Sequence, residues 1–87
     1  MIHIKVRLFG VFKNLGDGSA VTVDIKEPIS VGEFRKAFAD RVESIQPGFD
    51  VGLIRESVFA TDEVVLQDDF FISRELHLAI LPPVCGG

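Results

Sequence analysis

Hydrophobic and polar residues alternate from the second position of the chain. Ile2, Ile4, Val6 and Leu8 fall on one side of a two-residue period, with His3, Lys5 and Arg7 on the other. That pattern belongs to a strand with one buried face. The run Asn14-Leu15-Gly16-Asp17-Gly18-Ser19 is dense in turn formers and stops the alternation. It resumes with Val21, Val23 and Ile25 against Thr22, Asp24 and Lys26. A second strand across a short link predicts a hairpin.

The period then changes. Pro28 closes the second strand, and Ser30 with Glu33 three residues later has the form of a capping box. Val31, Phe34, Ala37, Phe38 and Val42 recur at helical spacing, while Glu33, Arg35, Lys36, Asp40 and Arg41 take the other side. The spacing predicts an amphipathic helix of about three turns, ended by Pro47-Gly48. Downstream, Val51-Gly52-Leu53-Ile54 and Ser57-Val58-Phe59-Ala60 read as extended, interrupted by Arg55-Glu56. Thr61-Asp62-Glu63 reads as a turn, Val64-Val65-Leu66 as a short strand, and residues 68–74 as irregular or a single helical turn. Leu76 to Leu81 is apolar on both faces, which places the last strand centrally in a sheet.

A single helix can cover only one face of the sheet these strands make. If the first and last strands are neighbours, they run parallel, joined through the crossover that holds the helix. The expected fold is therefore α+β: a β-grasp with a mixed sheet of four to five strands and one main helix packed on one face. Residues 1–81 form the domain, and residues 82–87 a flexible C-terminal Gly-Gly tail.

Composition narrows the function. Eighty-seven residues allow one domain. With 47% hydrophobic residues and eight Phe it can build one core, with little room for a catalytic cleft beside it. A net charge of −4 repels nucleic-acid phosphates and suits a partner bearing basic groups. The single Cys excludes an internal disulfide and a multi-cysteine metal site. No signal peptide or membrane-spanning run is visible, so a cytoplasmic setting is expected, without membrane or nucleic-acid partners.

The chemistry then falls on the ending "PPVCGG". Pro82-Pro83 stiffens the exit from the last strand and offers no N–H to continue a sheet. Gly86-Gly87 carries no side chain, so it fits a narrow channel where a Cβ would clash. Six residues reach about 20 Å, far enough to enter another protein's active site. The only handle on Gly87 is its α-carboxylate, inert until activated as an acyl-adenylate or thiocarboxylate. By itself the ending leaves two readings open, an incidental terminus or the working part. Cys85 has no His beside it in sequence and is most simply a tolerated small residue, with thiol exchange as the alternative.

Elsewhere the candidates are weaker. His3 and His77 could pair on neighbouring strands, but no carboxylates or thiols cluster around them, and no metal site is expected. Gly16-Asp17-Gly18 lacks the Lys and helix of a phosphate loop. Most of the Phe residues belong to the core. Phe9, Phe12, Phe59, Phe70 and Phe71 are those some of which could lie on the open sheet face. Phe9, Phe59 and Leu81 are the expected interface beside the tail.

Three stretches together resemble the MoaD/ThiS family of ubiquitin-like sulfur carriers, and within it the small subunits of molybdopterin synthase. "VRLFGVFKNLG" (residues 6–16) is similar to that family's first strand and loop, and "ISVGEFRKAF" (residues 29–38) to its helix start. "LAILPPVCGG" (residues 78–87) resembles its "PPVSGG" or "PPVTGG" tail and is the specific motif. The resemblance implies that an ATP-using, E1-like enzyme adenylates Gly87 and that a persulfide donor converts it to a thiocarboxylate. Gly86 would give clearance, with Pro82, Pro83, Val84 and Cys85 as the partner-binding tail. The chain would bind no cofactor and would not catalyse alone. It would donate sulfur within a molybdopterin synthase, to precursor Z in the large subunit. Related carriers feed thiamine, cysteine, homocysteine, tungsten cofactor or tRNA thiolation pathways, and a protein modifier is the alternative of another class. Cys85 stands where the family has Ser or Thr, Asp62 where it has a Val-Asn turn, and Ser73-Arg74-Glu75 where it has a "DGD"-like turn.

Overall fold

A computed structural model describes residues 1–83. Strand β1 (Ile2–Leu8) is followed by β2 (Ala20–Ile25), β3 (Ile29–Ser30), α1 (Val31–Ile45), α2 (Gly52–Glu56), β4 (Val58–Ala60), β5 (Val65–Leu66), β6 (Phe71–Ile72) and β7 (Leu76–Leu81). Five strands form one mixed sheet in the order β2-β1-β7-β4-β5. β1 and β7 are parallel and the other neighbours antiparallel. The last strand is therefore central, as its two apolar faces predict, and α1 fills the parallel crossover. This is the β-grasp arrangement.

Alternation decides which side chains meet the helix. Ile4, Val6 and Leu8 of β1, Leu78 and Ile80 of β7, and Phe59 of β4 are all buried, as are Phe34, Phe38 and Val42 of α1. Phe59 stands edge-on to Phe34 and Phe38, with ring centroids 5.3 and 5.6 Å away. Such T-shaped pairs stabilise beyond the area they bury.

The helix begins as its sequence predicts. Glu33 N–H donates to Ser30 Oγ (3.1 Å), and Glu33 Oε1 accepts from Ser30 N–H (3.0 Å). These backbone and side-chain bonds from Ser30 hold the Glu33 carboxyl below its usual 4.5. A depressed carboxyl pKa adds stability that is full above the unfolded value and fades as pH falls through the folded one. Ser30→Ala should cost about 1 kcal/mol in urea unfolding at neutral pH, with the difference from wild type narrowing in acid. A constant difference down through the carboxylate range would contradict the bond from the Ser30 hydroxyl to the Glu33 carboxylate, the part of the box that the substitution removes and acid weakens.

Three segments differ from expectation. The β1–β2 link is not short. Residues 9–19 include a 3-10 turn, Gly10–Asn14, and its Phe12, together with the following Leu15, is fully buried. Those two side chains belong to the core cluster, and the Phe12 ring lies tilted against Phe49 with centroids 5.9 Å apart. Residues 51–54 are not a strand. The segment is the start of α2, where Ile54 is buried and Asp50 Oδ1 accepts from Gly52 N–H. An apolar run of four residues cannot separate strand from helical turn by periodicity. Residues 68–74 hold β6, which pairs antiparallel with β3 through Ile29↔Ile72 and Ser30↔Phe71.

Candidate functional site

Helix α1 covers one face of the sheet and leaves the other open. The pairing register shows what lies there. Phe59, Leu66 and Ile80 point into the core, so the pleat turns Val58, Ala60, Val65, Ala79 and Leu81 outward. Arg7, Ala79, Ala60 and Val65 lie side by side across four strands. One step towards the tail, Val58 pairs with Leu81. Phe9 continues β1 in extended conformation, with φ −131° and ψ 153°, and so joins the same face. An apolar strip thus runs across the end of the sheet from which Pro82 departs.

Arg7 bridges this strip. Its guanidinium lies 5.6 Å from the Phe9 ring centroid and its Nη2 donates to Asp62 Oδ1 at 3.2 Å. The two small residues beneath, Ala60 and Ala79, are each 7% exposed, while Val65 is 52% exposed. The opposite half of the face is polar. His3 Nδ1 is hydrogen-bonded to Asp24 Oδ1, and Lys5 is paired with His77 in the β1–β7 register. The two histidines are therefore not partners.

Phe9 and Leu81 come together on the strip, both half-buried. Phe59 does not belong there. It is completely buried, with the Arg35 guanidinium 5.4 Å from its centroid. A one-residue shift of parity moves a strand side chain to the other face, so its neighbours Val58 and Ala60 turn to the open side, where Val58 is exposed and Ala60 is buried. Val58 and Ala60 were missed because residues 51–60 read as one interrupted extended stretch, which leaves the parity of β4 undefined; Val65 and Ala79 join them only through the register of β5 and β7 with β4. Phe12 is core, and Phe70 and Phe71 are exposed, just before and at the start of β6, which pairs with β3 in a separate two-stranded sheet. Pro82 and Pro83 are half-buried at its edge. Val84, Cys85, Gly86 and Gly87 lie outside the described residues.

The described residues present no catalytic constellation. Their buried polar side chain is Ser57, whose Oγ donates to Leu53 O at 2.6 Å. Arg35 is a structural tie. Its Nη1 donates to Ile54 O and Ser57 O, and its Nε and Nη2 donate to Asp68 Oδ1. Among the described residues no group of three or more His, Cys, Asp or Glu is placed to hold a metal, and no helix is long and apolar enough to cross a membrane. What remains is the apolar strip at one end of the open face, running into the Pro82-Pro83 exit.

The fold defines a ubiquitin-like β-grasp protein. The sequence model of the ThiS family matches residues 6–87, and the chain belongs to that family. No curated protein sequence matches. Among solved structures it is similar to small archaeal modifier protein 1 of H. volcanii. Identity there is 20% with TM-score 0.71, over 97% of this chain and 100% of that one. It is also similar to a putative molybdopterin converting factor, subunit 1, from Pyrococcus furiosus. Identity is 18% with TM-score 0.70, again over 97% and 100%. The ubiquitin-like domain of Plasmodium falciparum Dsk2 is a further match at 18% identity and TM-score 0.56, over 92% and 97%.

Proposed function

We propose that the chain is a sulfur carrier whose C-terminal Gly87 is adenylated, thiocarboxylated and then used to donate sulfur. The reading goes further, to the small subunit of a molybdopterin synthase. The observation that carries it is the apolar strip of Phe9, Val58, Ala60, Val65, Ala79 and Leu81 running into the Pro82-Pro83 exit. A partner seated on that strip would receive the Gly86-Gly87 ending in its own active site. The likeness to a putative molybdopterin converting factor supports the pathway.

Three partners follow from the chemistry. An E1-like enzyme joins the Gly87 carboxylate to the adenylyl group of ATP, releasing pyrophosphate. The outer sulfur of a persulfide donor attacks the acyl-adenylate and displaces AMP, and a second thiol then cleaves the resulting acyl disulfide, freeing the Gly87 thiocarboxylate and leaving a disulfide on the donor. A large subunit then takes the sulfur for the pterin precursor. The carrier holds no cofactor of its own in this scheme; ATP is bound by the activating enzyme.

A second reading has its own support. The likeness to a small archaeal modifier favours a protein modifier, in which Gly87 forms an isopeptide bond with a lysine. Whole-protein mass after co-expression with sulfur-loading enzymes separates the two. Sulfur replacing oxygen at the C-terminus supports the carrier, lysine conjugates support the modifier, and no Gly87-dependent change rejects both. The strip itself is tested by Leu81→Asp, which places a charge on the half-exposed rim. It should fold normally yet weaken binding to the activating enzyme by about 2 kcal/mol or more. Unchanged affinity would remove the strip from the interface.

A further inference from the structure

The first proline of the tail is seated on the domain. The parallel register of β1 and β7 ends at Leu8↔Ile80, and two residues further on Gly10 and Pro82 come together. A Cβ built on Gly10 would lie 2.7 Å from Pro82 Cγ and 3.5 Å from its Cδ. The first distance is well inside carbon–carbon contact. Gly10 has φ +58°, and from it the chain turns into the 3-10 segment anchored by buried Phe12. The loop is therefore held from below, and the pyrrolidine ring packs directly on its backbone. Because proline fixes φ, where the ring sits decides where the chain goes next.

We propose that Gly10 is a positioning residue for the C-terminal tail. Its missing side chain is the seat of the Pro82 ring, and that seat sets the line along which Pro82-Pro83 direct the chain towards the reacting Gly87 carboxylate. The consequence for sulfur chemistry rests on the carrier reading; the seat does not. A side chain at Gly10 has two separable effects. Left-handed backbone strain acts whatever residue stands at 82, whereas the clash needs the proline ring.

A double-mutant cycle of Gly10→Ala and Pro82→Ala tells them apart. Cys85, the single cysteine, accepts a nitroxide whose broadening of domain amides reports where the tail lies. Gly10→Ala should move that broadening to a different set of amides. It should also lower kcat/KM for sulfur loading about tenfold or more, since small misplacements are costly in a positioned reaction. In the Pro82→Ala background the same substitution should change loading by less than about twofold. Equal effects in both backgrounds with an unmoved label pattern mean simple strain, and they overturn the proposal. The label is read without sulfur chemistry. A wild-type protein that never loads sulfur would therefore overturn the carrier reading, while the label pattern still decides for or against Gly10. Should Gly10→Ala fail to fold, Gly10→Asn, whose residue type tolerates the left-handed region, replaces it in the same cycle.

Discussion

Phe59→Ala should lower the stability of the domain by about 3–5 kcal/mol. The ring is fully buried, meets Phe34 and Phe38 edge-on, and lies beneath the Arg35 guanidinium. Its removal opens a cavity where sheet and helix join, and takes away two aromatic contacts and a cation–π contact together. A domain of this size has roughly 5–15 kcal/mol in total, so the variant should be partly unfolded at moderate temperature. At about 4–8 °C per kcal/mol, Tm should fall by at least 12 °C or so. Phe59→Leu keeps most of the volume and should lose much less. Urea midpoints followed by circular dichroism give both values. A loss below about 1 kcal/mol for the alanine variant would mean that Phe59 is a surface residue after all.

Removal of Gly87 should have the opposite profile. The hydrophobic core ends at Ile80 and the last strand at Leu81, so unfolding midpoints should match wild type. Sulfur transfer should fall to background. The truncated chain still ends in a carboxylate, now on Gly86, but roughly 3.5 Å short of its target. Reacting groups tolerate far less; a displacement near 1 Å can cost about 10²-fold. Gly87→Ala restores the reach and adds a Cβ, so it should transfer slowly rather than not at all. Full transfer by the truncated chain would remove Gly87 from the mechanism.

These two residues also mark how far the chain can be read unaided. Strands with clean alternation, such as Ile2–Leu8 and Ala20–Ile25, and the capped helix from Val31 are legible because local pattern and tertiary burial agree. The central place of Leu76–Leu81 follows from its two apolar faces. Illegible segments are those whose conformation comes from distant partners. The short helix at Gly52–Glu56 takes shape under the bonds from Arg35 Nη1 to Ile54 O and Ser57 O. Strand β6 exists because Ile29 and Ser30 stand ready to pair with it. The parity of β4 depends on its register with β7, which no local pattern reveals. That is why Phe59 looked exposed and why Val58 and Ala60 went unseen. The seat of Pro82 on Gly10 is a contact between residues seventy-two positions apart, by subtraction of their numbers, and has no signature in either stretch.

The site is legible in a different way. The reading of the ending as a reactive tail rests on residue types alone: two prolines followed three positions later by two glycines. What the fold adds is the apolar face from which that ending departs.

Intact mass and C-terminal peptide mapping of the protein test the central claim most directly, after incubation with ATP, an E1-like activating enzyme and a persulfide donor. One oxygen should be replaced by one sulfur on the peptide ending in Gly87, dependent on ATP and retained under thiol reductant. A whole added sulfur on Cys85, independent of ATP and removed by reductant, would contradict it and make the cysteine, not the terminal carboxylate, the sulfur-bearing group.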